Sequence, residues 1–185
     1  MPDPNLTIPA GSMPRWLVRY NDRRAATFER RTARYSHRWP ALRTRRMRRA
    51  LVALLMIILG VAVASSIAAF WHLATATLVF VVATLGSLIP LTLIRITNDS
   101  VADAPAQALD EIQLAQRNAA RSLTYVLLIP TGIAIFLVTN FLGHSEYVAG
   151  ETVTAVGWLF IAALLSLACL PDILLTWWLP DDEQE

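Results

Sequence analysis

Long stretches without charged side chains alternate with short polar segments along the chain. The first stretch runs from Ala50 to Ile94 without Asp, Glu, Lys or Arg, and two more cover residues 122–145 and 152–171. A helix needs about 20 mainly apolar residues to cross a bilayer, so the first stretch is long enough for two crossings. The pattern therefore predicts four transmembrane helices, at residues 50–70, 74–95, 122–142 and 152–178.

The polar segment at 96–121 has a helical pattern of its own. Asp103 is suited to cap the N-terminus of a helix, and Pro105 would then occupy the first turn. Apolar residues recur after it at three- and four-residue spacing, which is the spacing of one helix face. We expect a helix that begins at about residue 104 and continues directly into the third crossing.

These patterns predict an all-α integral membrane protein whose four transmembrane helices form two hairpins. An arginine-rich N-terminal cytoplasmic helix precedes the first hairpin, and a cytoplasmic helix leads into the third crossing. The predicted segments are a disordered tail at 1–14, an arginine-rich amphipathic arm at 15–49, the first hairpin at 50–95, the connecting helix at 96–121, the second hairpin at 122–178 and an acidic cytoplasmic tail at 179–185.

Composition and charge support this interpretation and orient the chain. Apolar residues make up 55% of the chain and the mean hydropathy is +0.46, which is high for a soluble domain. The 16 basic residues are all arginine, as in GC-rich bacterial coding sequences, and four crossings place all of them on one side. Arginine-rich segments stay in the cytoplasm. The expected location is the bacterial plasma membrane, with both termini cytoplasmic.

The arginine-rich arm interleaves aromatic side chains with 13 of the arginines. Each arginine near an anionic leaflet contributes roughly 1 kcal/mol of attraction, so the arm exceeds what orientation alone requires. We expect the arm to bind anionic membrane lipids, with an acidic protein surface as the alternative. Nucleic acid is disfavoured as a partner because no recognisable binding motif is present. The residues assigned to this surface are Arg15, Trp16, Arg19, Tyr20, Arg23, Arg24, Arg30, Arg31, Arg34, Arg38, Trp39, Arg43, Arg45, Arg46, Arg48 and Arg49.

Small residues recur at four-residue spacing in three of the crossings. Such ridges let helices approach closely in a membrane, either within the bundle or against another protein or a second copy. The predicted packing residues are Gly60, Ala64 and Ala68 in the first crossing, Ala83 and Ser87 in the second, and Ala162 and Ser166 in the fourth.

Two charged residues stand at the ends of apolar runs. Arg95 ends the second crossing, and Asp172 follows Pro171 late in the fourth. Both fall near the same leaflet, so an intramembrane charge pair between them is possible. A charge in a membrane is costly and is by default a functional candidate, here for a proton or ion relay. Because neither residue falls at the midplane, the favoured interpretation is an interfacial pair or two solvated charges near helix ends.

Motifs for catalysis are missing from the sequence. It contains no glycine-rich phosphate loop, no metal-ligand spacing and no nucleophile elbow, so we expect no enzyme activity, no cofactor and no metal. The sequence favours an accessory or regulatory protein that binds another membrane protein or complex. Alternatives are a self-assembling pore, holin-like or phage-exclusion protein, and a small-molecule carrier.

Overall fold

Four long helices account for most of the described chain. The computed structural model describes residues 44–98, 101–104, 109–144 and 149–178, and positions 14, 16, 19, 20, 23, 26 and 27. The helices are α1 (Arg45–Ala68), α2 (Leu73–Thr97), α3 (Glu111–Gly143) and α4 (Gly150–Trp178), with a short 3-10 helix (Val101–Asp103) between α2 and α3. The predicted acidic tail and most of the predicted arm lie outside the described residues.

Each of the four helices is long and apolar enough to cross a membrane. Their bounds contain the four predicted crossings to within about two residues, and no strand occurs in the described ranges. The predictions of an all-helical chain and of four helices long and apolar enough to cross a membrane are therefore confirmed for the described residues. Large apolar side chains such as Ile57, Leu78 and Ile89 are each more than half exposed, as expected for side chains that face lipid.

α1 begins before the predicted start of the first crossing at residue 50. The Thr44 hydroxyl accepts a hydrogen bond from the backbone N–H of Met47 at 3.4 Å and caps the helix. The arginines at 45–49 therefore form the first turn and a half of α1, as suits their good helix propensity. Arg48 is buried at 4% exposure, whereas Arg45, Arg46 and Arg49 are exposed.

The start of α3 differs from the prediction. Asp103 does not cap a long helix; it ends the 3-10 helix, and α3 begins at Glu111. The cap is Asp110, whose Oδ1 accepts a hydrogen bond from the backbone N–H of Gln113 at 2.6 Å. The Asp103 carboxylate instead lies beside Arg95. From Glu111, α3 continues without interruption into the predicted third crossing, as expected.

Helices α1, α2 and α4 pack together along their lengths in three layers. The first layer lies towards the arginine-rich end of α1 and contains Leu51, Val52, Leu55, Leu59, Ile94 and Cys169. The middle layer contains Ala62, Phe80, Ala83 and Ala162, with Trp158 packed against Phe80 at a ring-centroid distance of 4.7 Å. The third layer contains Ala69, Ala76 and Ala155, next to the short turn that joins α1 to α2.

The predicted packing ridges are only partly buried. Ala83, Ser87 and Ala162 are buried and Ser166 is half-buried. Gly60, Ala64 and Ala68 are exposed, and a Cβ at Gly60 would meet nothing within 4 Å. Within the bundle, α1 turns the neighbouring face inward, with Ala62 and Ser66, so of the two predicted uses of the Gly60–Ala68 ridge, contact with another protein or a second copy stays a prediction.

Candidate functional site: an ionic network at the arginine-rich end of the bundle

Arg95 and Asp172 come together where α2 ends and α4 approaches its last turns. Nε and Nη2 of Arg95 each donate to Oδ2 of Asp172 at 3.1 Å. Asp172 is buried at 2% exposure, whereas the Arg95 side chain is 42% exposed. The pair thus joins a buried carboxylate to a guanidinium that still reaches the surface.

A second carboxylate lies on the exposed side of the same guanidinium. Oδ2 of Asp103, whose side chain is 52% exposed, lies 3.5 Å from Nη1 of Arg95. The sequence pattern did not indicate this role, because it depends on the 3-10 helix that turns Asp103 back towards α2. Arg95 therefore bridges two acids, one on the inside of the bundle and one at its surface.

A hydrogen-bonded layer extends the network by one turn. The side-chain amide of Asn98 donates to the Thr176 hydroxyl, which donates to the carbonyl of Asp172 at 2.5 Å. Asn98 and Thr176 are both buried, at 4% and 3% exposure. Buried polar groups need such partners, because removing them from water costs free energy that a hydrogen bond within the protein offsets. This layer connects the residue after α2 to α4, and sequence analysis missed it.

The 3-10 helix that carries Asp103 is held by two arginines of α3. Nη1 of Arg117 donates to the carbonyl of Ala104, and Nη2 of Arg121 donates to the carbonyl of Ala102. On its apolar side, Val101 and Ala102 pack with Ala120 and Leu175. These arginines were predicted only as markers of the cytoplasmic side, but they also position the loop between α2 and α3.

The predicted lipid- or partner-binding arm is described in part. The exposed residues among those described are Trp16, Arg19, Tyr20, Arg23, Arg45, Arg46 and Arg49. The guanidinium of Arg49 lies over the Trp177 ring at 4.9 Å from its centroid, so the start of α1 and the end of α4 are at the same level. Arg15, Arg24, Arg30, Arg31, Arg34, Arg38, Trp39 and Arg43 lie outside the described residues.

The chemistry of this network is that of an ionic cross-link between helices. In the described part of the chain, no three His, Cys, Asp or Glu side chains group as a metal site. Two carboxylates around one guanidinium hold α2, α4 and the 3-10 helix in one arrangement, since breaking a buried ion pair leaves a charge without compensation. No family model, curated protein or solved structure matches the chain.

Proposed function

We propose that the chain is a non-enzymatic accessory or regulatory membrane protein that binds another membrane protein through the outward side of α3. The observation that supports this proposal is the burial of the four spans. None of the 18 residues in the most apolar window of α3 is buried, whereas 39%, 28% and 22% are buried in α1, α2 and α4. α3 is thus the helix whose membrane-spanning part the bundle covers least.

Exposure alone does not require a protein partner, because a lipid-facing helix is also exposed. The part of α3 from Pro130 to Phe141 has further features that suit helix–helix contact. Gly132 has open space at the position of a Cβ, which allows a neighbouring helix to approach closely. Pro130 has no N–H to donate to the carbonyl of Val126, and neighbouring helices commonly satisfy such groups in membranes. Phe136 and Phe141, at 64% and 80% exposure, offer large side chains to a partner.

The arginines support the proposed orientation. Those of α1 lie in its first turns, Arg95 lies in the last turn of α2, and Arg117 and Arg121 precede the apolar part of α3. Because α1 and α2 are joined by a short turn and run antiparallel, these positions fall at one end of the bundle. By the positive-inside rule, this supports the proposal that this end and both termini are cytoplasmic, in the plasma membrane of a bacterial cell.

Site-specific photo-cross-linking in membranes of the native host tests the proposal. A photoreactive residue at Phe136 of α3 should give a discrete cross-link to a second, different membrane protein. The same residue at Leu78 of α2, which is equally exposed at 68%, is the matched control and should cross-link mainly to lipid. Equal behaviour of the two positions would contradict the proposal.

A self-assembling pore is the second candidate, because an uncovered helix can also pack against a second copy. The polar side chains of α3 do not favour it. Thr131, Thr139 and Asn140 each donate to a carbonyl four residues earlier, and their spacing places them on different sides of the helix. They do not form one polar stripe. A cross-link from Phe136 to a second copy alone would favour this candidate.

A further inference from the structure

One side of α3 changes from polar to apolar along its length. Asn118, Arg121, Ser122, Tyr125, Val126 and Ile129 line a shallow open depression on this helix. Their spacing of three and four residues places them on one side of α3. Ala120, which is buried in the bundle, lies on the opposite side. The depression therefore faces away from the bundle and towards the surrounding membrane.

The depth of this depression follows from its neighbours in the bundle. Ala120 packs in the same cluster as Leu175 of α4. Two residues later in α4, Trp177 is half exposed and lies beneath the guanidinium of Arg49. Tryptophan and arginine side chains of this kind mark the level of the lipid headgroups. Arg121, next to Ala120, consequently lies at headgroup level, and Ile129 lies about two turns deeper among the acyl chains.

The polar side chains in the depression have hydrogen-bonding capacity to spare. In the described part of the chain, Arg121 makes one hydrogen bond, from Nη2 to the Ala102 carbonyl, which fixes its side chain and leaves other N–H groups available. The Ser122 and Tyr125 hydroxyls and the Asn118 amide make none there. Hydroxyls elsewhere on α3 behave differently, since Thr124 and Thr131 donate to carbonyls of their own helix.

Arg121 is the one charged residue among the six that line the depression. Asp103 follows Ala102, whose carbonyl Arg121 binds, but its carboxylate lies 3.5 Å from Nη1 of Arg95. The nearest acids in α3 and its cap are Glu111 and Asp110, which precede Asn118 by seven and eight residues, or about 10–12 Å at 1.5 Å per residue. An anion with several acceptor oxygens matches one guanidinium, two hydroxyls and an amide. Apolar chains attached to that anion would cover Val126 and Ile129.

We propose that this side of α3 binds an anionic phospholipid, with the phosphate at Arg121, Ser122, Tyr125 and Asn118 and the acyl chains along Val126 and Ile129. A soluble phosphate would contact only the polar residues of the depression. A phospholipid contacts the polar residues with its headgroup and the apolar residues with its acyl chains, each at the depth at which that part of the lipid lies. The headgroup part of the site is distinct from the cross-linking position, because Phe136 lies 11 residues beyond Tyr125, or about 16 Å along the helix.

The test is native mass spectrometry of the full chain in detergent, titrated with phosphatidylglycerol or with phosphatidylcholine. The intact chain should retain phosphatidylglycerol more tightly. Arg121→Gln should weaken its affinity for phosphatidylglycerol by about tenfold, which is the range for a hydrogen bond to a charged group. Thr139→Val, which removes a polar group of α3 outside the depression, is the control and should change this affinity by less than about twofold, because the Thr139 hydroxyl already bonds to the Ile135 carbonyl.

A second variant avoids the contact between Arg121 and Ala102. Ser122→Ala combined with Tyr125→Phe removes two hydroxyls and should weaken phosphatidylglycerol binding by about threefold or more. Thr131→Val is its control, since the Thr131 hydroxyl already bonds to its own helix. Equal affinity for the two lipids, or equal losses of affinity in Thr139→Val and Arg121→Gln, would overturn the proposed site. Loss of the Phe136 cross-link with lipid binding intact would instead count against the proposed function.

Discussion

Asp172 of α4 accepts two hydrogen bonds at 3.1 Å from the guanidinium of Arg95 at the end of α2. The two residues differ in environment, because Asp172 is buried and Arg95 is partly exposed and also faces Asp103. Loss of Arg95 would leave a buried carboxylate without its cation. Loss of Asp103 would leave the buried pair intact. The structure therefore predicts unequal effects for substitutions within one ionic network.

Arg95→Met should lower the free energy of unfolding by about 2–4 kcal/mol, because it leaves the buried Asp172 carboxylate without its cation. The loss should be smaller than for a fully buried pair, since Arg95 is partly exposed. Asp103→Asn should cost less than about 1 kcal/mol, as is usual for an exposed pair. Unfolding of the purified protein in mixed micelles by titration with a denaturing detergent measures both. Equal losses of stability in the two variants would contradict the prediction that the buried pair of Arg95 and Asp172 contributes more than the exposed contact between Arg95 and Asp103.

The double variant Arg95→Met with Asp172→Leu should be more stable than Arg95→Met alone. It removes the buried carboxylate together with its cation, and apolar replacements of a buried ion pair are often neutral. The same denaturing-detergent titration provides the comparison. A double variant that is less stable than Arg95→Met would mean that Asp172 has a stabilising partner besides Arg95.

Thr176→Val should destabilise the bundle by about 1 kcal/mol, because the Thr176 hydroxyl links Asn98 to the carbonyl of Asp172. Thr97→Val is the matched control. Thr97 is buried too, but its hydroxyl donates only to the Ile94 carbonyl of its own helix. The control should lose less stability in the same titration. A larger loss of stability in Thr97→Val than in Thr176→Val would contradict the stabilising role assigned to the hydrogen bonds that Thr176 makes between α2 and α4.

Gly60→Leu should leave the stability of the isolated chain nearly unchanged, because a side chain at this position extends into open space. Ala162→Leu, in contrast, should cost about 1–3 kcal/mol, since Ala162 is 1% exposed and sits in the packed middle layer. Thermal unfolding in detergent compares the two. A strong loss in Gly60→Leu would indicate that the Gly60–Ala68 ridge packs against protein in the isolated chain.

The long apolar runs were sufficient to predict the four spanning helices, since only helices of this length satisfy their backbone polar groups in lipid. The sequence also indicated that a pair between Arg95 and Asp172 was possible, because both stand at the ends of apolar runs on the same side. The positions of Asp103 and Asn98 do not. They depend on a 3-10 helix whose path is set by Arg117, Arg121 and the packing of Val101.

The inward faces of the helices were harder to predict than their ends. In a soluble protein an apolar stripe marks the core, but in a membrane the lipid-facing side is equally apolar. The small-residue ridge at Gly60 is therefore indistinguishable from the inward face at Ala62 by composition. For the same reason, the sequence does not indicate that the membrane-spanning part of α3 is the least covered of the four.

Native mass spectrometry after gentle extraction from the native host tests the central proposal most directly. The account predicts a stoichiometric complex of this chain with a different membrane protein, and loss of that complex when Phe136 and Phe141 are replaced by alanine. Replacement of Leu78 and Ile89, which are equally exposed on α2, should leave the complex intact. A homo-oligomer or a bare monomer from the same extraction would contradict the account.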